Sequence, residues 1–303
     1  MSGNKLITLQ ITTRGRLTEL LHTLHVSADI LKDERVETLL CIDGYEPETE
    51  REIQNQYPDI RIISHAKPRG LIACRNKMMS LTKTPYVISL DDDAHFISCN
   101  NVDNIIHYFE LHPECAVLAF RIFWGKRDIE NIEDDSNPLR VKCFVGCGHA
   151  WRMSHWMQVK PYPEWLIFYG EEEYAAYKLF KQNFQIHYLA KVFIHHRVDI
   201  NARKTNGSDY IVRQMRSYRA GLFNIACFFP LRTLPRIYCY SLWNQFKTKT
   251  LKGDWKATIG YIVGLLSFLI HLYKLPRYSA RLSEEEYTAY MKLKPVPLYW
   301  KPL

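Results

Sequence analysis

The chain has 303 residues, 47% hydrophobic and 24% charged, and a formal net charge of +8. This composition excludes a disordered, collagenous or low-complexity chain and supplies enough apolar residues for one large domain or two smaller ones. The charge is uneven: residues 1–200 carry 23 Lys and Arg against 27 Asp and Glu, whereas residues 201–303 carry 17 against 5, so a near-neutral body precedes a basic tail suited to an anionic partner.

In chain order, KLITLQITT (5–13) predicts a strand and RLTELLHTLHVSADIL (16–31) a helix. VETLLCIDG (36–44) predicts a second strand, ETEREIQNQY (48–57) a polar helix and IRIISH (60–65) a third strand. GLIACRNKMMSLT (70–82) reads as a helix and YVISL (86–90) as a fourth strand. Near-continuous apolar strands separated by helices predict an α/β fold, a mostly parallel mixed sheet with helices on both faces. Further along, CAVLAFRIFW (115–124) predicts a strand, followed by an acidic loop at 127–138 and a strand with a glycine turn within 141–156. The stretch 169–182 predicts a helix with acids in its first turn, and 184–196 one or two strands ending in His195 and His196. NARKTNGSD (201–209) reads as a linker, dividing a catalytic domain (1–208) from a helical, aromatic, basic C-terminal extension (209–303).

The eight cysteines are scattered without paired zinc-knuckle spacing; Cys143 and Cys147 form one C-x3-C pair with no second pair to match it. MSGNKLITLQI has no long apolar run and reads as lacking a secretory signal, so a reducing, cytoplasmic setting is expected.

In a parallel α/β sheet, ligands bind beyond the carboxyl ends of the strands. Thr12, Thr13 and Arg14 stand at the first such end, Asp43 and Gly44 at the second, and Asp91, Asp92 and Asp93 at the fourth. Asp91-x-Asp93 is an oxygen-rich pair suited to Mg²⁺ or Mn²⁺ shared with a diphosphate, or simply an acidic turn before the next element. Asp43 could accept from a nucleobase or ribose, or serve the Asp-Gly turn. Glu171, Glu172 and Glu173 could supply a general base or merely compensate a helix dipole. His195 could be a metal ligand or a satisfied core histidine.

The ordered set TTRGR, CIDG, RGLIACRNKM, SLDDDAHF, FVGCGHAWR, FYGEEEYAAYKLFKQNFQIHY and VFIHH resembles the family-two inverting glycosyltransferases, with their A-type, Rossmann-like nucleotide-sugar fold, over about residues 5–200. The resemblance implies a metal-dependent single displacement from a nucleotide-diphosphate sugar, most commonly a UDP sugar, onto a hydroxyl of a glycan or lipid-linked acceptor, in a setting such as polysaccharide biosynthesis. It places Thr12, Arg14, Asp43, Gly70, Arg75, Asp91 and Asp92 around the donor. Asp93 and the strand-end His195 fall on the Mg²⁺ or Mn²⁺, and Glu172 on the base. Two departures stand out: the base is Glu rather than Asp, and Tyr174-Ala175 replaces the usual Asp-Leu.

ATIGYIVGLLSFLIHLY (257–273) is the most apolar stretch, flanked by Lys247, Lys249, Lys252, Lys256, Lys274, Arg277 and Arg281. Aromatic and basic residues together predict peripheral, in-plane attachment to an anionic membrane, the inner leaflet in a cytoplasmic protein; packing on the catalytic domain is the alternative. Rival readings are a non-catalytic sugar-nucleotide binder and a basic nucleic-acid-binding protein. Acidic strand ends and the lack of a nucleic-acid motif argue against the latter, so no nucleic-acid partner is expected.

Overall fold

The structure, a computed structural model, describes residues 5–127, 129, 137–159, 161–198, 207–297 and 299–300. Most of the acidic loop at 127–138 and of the linker at 201–209 lies outside these residues. The chain divides into two compact units: Met1–Glu164 with Asn183–Val198 and Lys294–Leu303, and Trp165–Gln182 with Asp199–Leu293.

In the first unit, β1 (Ile7–Thr13), α1 (Leu17–Val26), α2 (Ala28–Leu31), β2 (Val36–Ile42), α3 (Pro47–Gln56), β3 (Arg61–Ser64), α4 (Leu71–Leu81) and β4 (Tyr86–Asp91) follow one another. The helix predicted over 16–31 breaks at Ser27, which ends α1 and precedes α2. β3, β2, β1 and β4 lie side by side and parallel. β5 (Ala94–Phe96), α5 (Asn101–Leu111), β6 (Cys115–Trp124), β7 (Leu139–Val141), β8 (Gly148–Arg152), α6 (Met153–Val159), β9 (Gln185–His196) and β10 (Tyr299–Trp300) complete the unit. β8 is antiparallel to both β4 and β6, and β9 joins β6 in parallel. The sheet runs β3-β2-β1-β4-β8-β6-β9-β5. The expected α/β fold with a mostly parallel mixed sheet is therefore present.

Strand alternation distributes β2 between two cores. Leu40 and Ile42 join Leu20, Leu24, Ile105 and Phe109 of α1 and α5. Leu39 and Cys41 point the other way, onto Cys74 and Met78 of α4. Helices thus cover both faces, which is why every residue of β1 but Thr12 is buried. The polar members of that run are satisfied: Thr8 Oγ1 donates to Glu37 (2.7 Å) and Gln10 Nε2 to Thr82 Oγ1 (2.7 Å). Arg152 seals the carboxyl end of α5, its guanidinium donating to the carbonyls of Phe109, His112 (2.9 Å) and Cys115 (3.0 Å).

The second unit is helical: α7 (Glu171–Lys181), α8 (Gly207–Phe228), α9 (Leu234–Thr248), α10 (Trp255–Ile270), α11 (Leu275–Tyr278) and α12 (Glu284–Lys292). Ser283 and Glu286 form a capping box at the start of α12.

Gly148, opposite Leu90 where β8 meets β4, has no room for a side chain. An added Cβ would lie 2.9 Å from Ile194 Cγ1 and 3.3 Å from Ile122 Cδ1. Gly148→Ala is expected to destabilise the protein by about 1–3 kcal/mol, read as a lower urea midpoint; an unchanged midpoint would show that the β8–β9 packing yields freely.

Candidate active site

The carboxyl ends of β1, β2 and β4 converge through their parallel register, in which Thr12 stands beside both Cys41 and Asp91. The chain then places three aspartates in three different environments. Asp92 turns inward. Its Oδ2 accepts from Thr13 Oγ1 (2.8 Å) and its Oδ1 from Arg16 Nη1 (2.7 Å). Burial pushes its carboxyl up to about 7, against the pull of Arg16. Asp93 is also buried, yet its carboxyl is held well below the usual range. Burial alone would raise it, but His196 and Arg16 outweigh that effect. Arg16 Nη2 donates to Asp93 Oδ2 (2.7 Å), and His196 Nε2 lies 3.0 Å from Asp93 Oδ1. Asp91 remains partly exposed and accepts from Arg75 Nη2 (3.0 Å), which also donates to the Gly146 carbonyl (2.6 Å).

Asp91, Asp93 and His196 can each offer one ligand atom, all within 4.8 Å of one another. The fit to a divalent cation rests on more than proximity. Among the described residues neither ring nitrogen of buried His196 has an aligned hydrogen-bond partner, and Nε2 meets Asp93 only as an ion pair at 3.0 Å. Two carboxylates and an imidazole suit Mg²⁺ or, with the nitrogen ligand, Mn²⁺. Burial lowers the proton affinity of His196, but Cys147 and Asp93 raise it further, and the ring is held well above its ordinary value.

The histidine facing this cluster is thus His196, not the expected His195. Neighbouring strand residues point to opposite faces, and the β5–β9 pairing sets Ala94 opposite His196 and His95 opposite His195. His195 Nε2 instead pairs with the Gly125 carbonyl (2.8 Å), and its ring packs on His95. The two arginines of TTRGR are also placed differently. Arg14 is exposed, whereas Arg16 spans Asp92 and Asp93. Gly15 between them has φ +61°, which turns the chain so that only the second arginine reaches back.

Asp43 is buried, and both its oxygens are engaged by backbone: Arg69 N–H (2.7 Å) and Gly70 N–H (3.0 Å). It anchors the loop that opens α4, with Gly70 at φ +95° as the capping residue. Asn76, one turn on, clasps the 162–164 segment by donating to the Tyr162 carbonyl (3.0 Å) and accepting from Tyr162 N–H (3.0 Å). Beside Asp43 the ligand atoms of Cys41, His65 and Cys74 also fall within 4.8 Å of one another, a proximity invisible in their sequence spacing.

In the second unit the three glutamates of α7 differ in exposure: Glu171 is buried, Glu172 half-buried and Glu173 exposed. The loop leading into them is conformationally costly. Ile167 (φ +71°), Tyr169 (φ +75°) and Gly170 (φ +85°) all lie in the left-handed region, where a β-branched residue is rare. Such strain concentrates at functional positions.

Residues 9–133 match the family model for glycosyl transferase family 2, so the chain carries a family-two domain over that segment. No curated protein matches it by sequence. Among solved structures, GalNAc-T7 with UDP, GalNAc and Mn²⁺ is similar at 12% identity and TM-score 0.57, over 75% of this chain and 49% of its own, so the chain spans about half the length of that protein. The mannosyltransferase PcManGT from Pyrobaculum calidifontis, in complex with GDP-Man and Mn²⁺, is 12% identical with TM-score 0.55, over 95% of this chain and 84% of its own. S. aureus TarS 1-349 in complex with UDP-GlcNAc is 14% identical with TM-score 0.56, over 87% and 80%. At these identities the likeness establishes the A-type fold.

Asp43→Ala leaves two buried N–H groups without their acceptor and is expected to cost about 1–3 kcal/mol in urea unfolding. Asp43→Asn keeps one acceptor oxygen and should cost less. Equal losses in the two variants would show that the carboxylate does not hold the loop.

Proposed function

We propose that this chain, a glycosyltransferase with a family-two domain on an A-type fold, moves a sugar from a nucleotide diphosphate donor to an acceptor hydroxyl, with inversion and with a divalent metal. The observation that carries this reading is the convergence of Asp91, Asp93 and His196 at the carboxyl edge of the parallel sheet, with the His196 ring nitrogens unaligned to any hydrogen-bond partner. The UDP, GDP-Man and UDP-GlcNAc named with the similar structures support a nucleotide-sugar donor, and UDP is our first candidate nucleotide.

Asp91, Asp93 and His196 would hold Mg²⁺ or Mn²⁺, which when bound supplies positive charge to the diphosphate oxygens as the sugar leaves. Arg75, buried and fixed by the Gly146 carbonyl, adds preorganised positive charge on the same side. Asp92 keeps Arg16 and Thr13 in place rather than touching the ribose. Asp43 shapes the nucleotide side by fixing the Arg69–Gly70 backbone, with Thr12 at the neighbouring strand end. Arg14 is exposed and is left to contact the donor's outer surface. Glu172 is our choice of base because it is the half-buried member of the triplet: Glu171 is buried, and the Glu173 carboxylate is occupied by Asn224 Nδ2 (3.4 Å). It takes the proton of the acceptor hydroxyl as that oxygen attacks the anomeric carbon from the face opposite the leaving diphosphate, which inverts the configuration.

Calorimetric titration of UDP, dTDP and GDP with and without Mn²⁺ tests the donor site. Mn²⁺-dependent binding of one nucleotide is expected, weakened roughly 100-fold in Asp93→Ala. Glu172→Gln should keep that binding while transfer falls by about 10²–10⁴-fold, with Glu173→Gln much less affected. Full transfer by Glu172→Gln, or equal loss in Glu173→Gln, would move the base elsewhere.

A further inference from the structure

The second unit contains a helix built inside out. In α10 the small residues Ala257, Gly260 and Gly264 are buried together with Phe268, while Trp255, Ile259, Ile262, Leu266, Leu269 and Ile270 are exposed. The exposed set recurs at steps of three and four, so it forms one continuous apolar face. The inner face shows why it cannot simply be turned over. An added Cβ on Gly260 would lie 2.7 Å from Gln214 Cβ and 2.9 Å from the Ile211 carbonyl, and one on Gly264 would lie 2.9 Å from the Met215 carbonyl. The glycines fix α10 against α8, and most of the large apolar side chains are left outside. Trp243 and Phe246 of α9 and Tyr273 just beyond α10 are exposed as well. A patch of this kind marks an interaction surface.

We propose that this face docks in the plane of an anionic lipid bilayer. Charge selects the partner. Residues 231–281 hold nine Lys and Arg against one acid, Asp254, and that acid is occupied by Tyr210 Oη (2.8 Å) and the α10 amino end at Ala257 N–H (3.0 Å). A symmetric pairing of two copies through this face would set one basic rim against the other. An anionic headgroup layer complements both the rim and the apolar centre, and exposed Trp and Tyr suit the interface.

The helix lies in the surface and does not cross it. At 1.5 Å per residue its 16 residues reach about 24 Å, short of the ~30 Å hydrocarbon core. Among the described residues no single helix is long and apolar enough to span; the one bent pair that passes by length and composition, Trp255–Ile270 with Leu272–Tyr278, turns by 49°. α8, to which α10 is bound, carries Arg213, Gln214, Arg216 and Arg219 and cannot follow it into hydrocarbon.

α8 also carries the amino end of α7. Asn224 Nδ2 donates to the Gly170 carbonyl (2.9 Å), and a Cβ on Gly170 would meet Ala220 Cβ at 2.6 Å. One helix therefore links the lipid face to the segment bearing Glu172. Resting on the reading of Glu172 as the base, this makes a lipid-linked hydroxyl the acceptor class that the unit is built to meet.

The test is flotation of the full chain with phosphatidylcholine vesicles and with vesicles containing about one-third phosphatidylglycerol, using wild type and Ile262→Glu/Leu266→Glu. Both substitutions are on the exposed face, so the fold is expected to persist, checked by unchanged Mn²⁺-dependent nucleotide binding. Wild type should float with anionic vesicles and far less with neutral ones, and the double variant should lose more than about tenfold of that binding. Three results overturn the proposal: wild type remaining unbound, equal flotation by the double variant, or a dimer by light scattering that the double variant abolishes without any vesicle binding. Nucleotide titration of the same samples separates the two readings. Vesicle binding without nucleotide binding removes the donor site and keeps the lipid face; the reverse removes the lipid face alone.

Discussion

Three consecutive carboxylates at the end of a buried strand cannot stand alone, and the first unit is arranged around their compensation. Arg16 comes from the turn after β1, Arg75 from α4 and His196 from the end of β9. These positions are between 16 and 103 residues from the aspartates they meet, so only the assembled sheet brings them together. The cluster is therefore a consequence of topology as much as of local sequence. Parallel pairing of β4 with β1 sets Asp91 beside Thr12, and antiparallel pairing of β5 with β9 brings His196 to Ala94, one residue past Asp93.

Within the triplet, position decides role. Asp92 spends both oxygens on Thr13 and Arg16, and its backbone carbonyl accepts from Thr23 Oγ1 (2.7 Å), which in turn accepts from Arg197 Nη2 (2.7 Å). It is a structural acid that holds the strand end to α1 and to the residue after β9. Asp91 and Asp93, two residues apart, instead face Arg75 and His196, the first from a partly exposed position and the second from a buried one. The opposite shifts of Asp92 and Asp93 follow. Both are buried, but Asp93 has two cationic partners and Asp92 one, so the carboxyl of Asp92 is raised and that of Asp93 lowered.

Much of this was legible from the residues alone. Apolar runs bounded by turn residues located β1 to β4, and CAVLAFRIFW coincides with β6. The motif order identified the strand ends that carry the acids. What escaped depends on information that spacing does not hold. VFIHH announces a strand end but not its parity, which the pairing partner fixes. TTRGR offers two arginines, and only the left-handed turn at Gly15 decides between them. α5 carries Val102, Ile105, Ile106 and Phe109 at helical spacing, but it has no side-chain cap at its amino end and its carboxyl end is capped from afar by Arg152, so no local signal bounds it. The apolar stretch of 257–273 announced hydrophobicity but not direction. Only the packing of α10 shows which side is committed.

That packing also bears on why the stretch is as it is. A glycine inside a helix costs about 1 kcal/mol relative to alanine, and α10 carries two of them on one face. The cost is offset only if the backbones must come close, as they do where Gly260 and Gly264 meet α8. If α10 served merely to thicken the core of the unit, the economical arrangement would put Ile, Leu and Trp inward and polar residues outward. The sequence largely does the reverse: Phe268 is buried and Tyr261 packs on Tyr218, but Trp255, Ile259, Ile262, Leu266, Leu269 and Ile270 lie on the exposed side, while Ala257, Gly260 and Gly264 make the internal joint. The same α8 is joined at Gly170 by the equally intolerant contact with Ala220. Two glycine-dependent joints on one helix tie the outward face to the amino end of α7, which is the connection that the proposed lipid docking and the proposed base at Glu172 together call for.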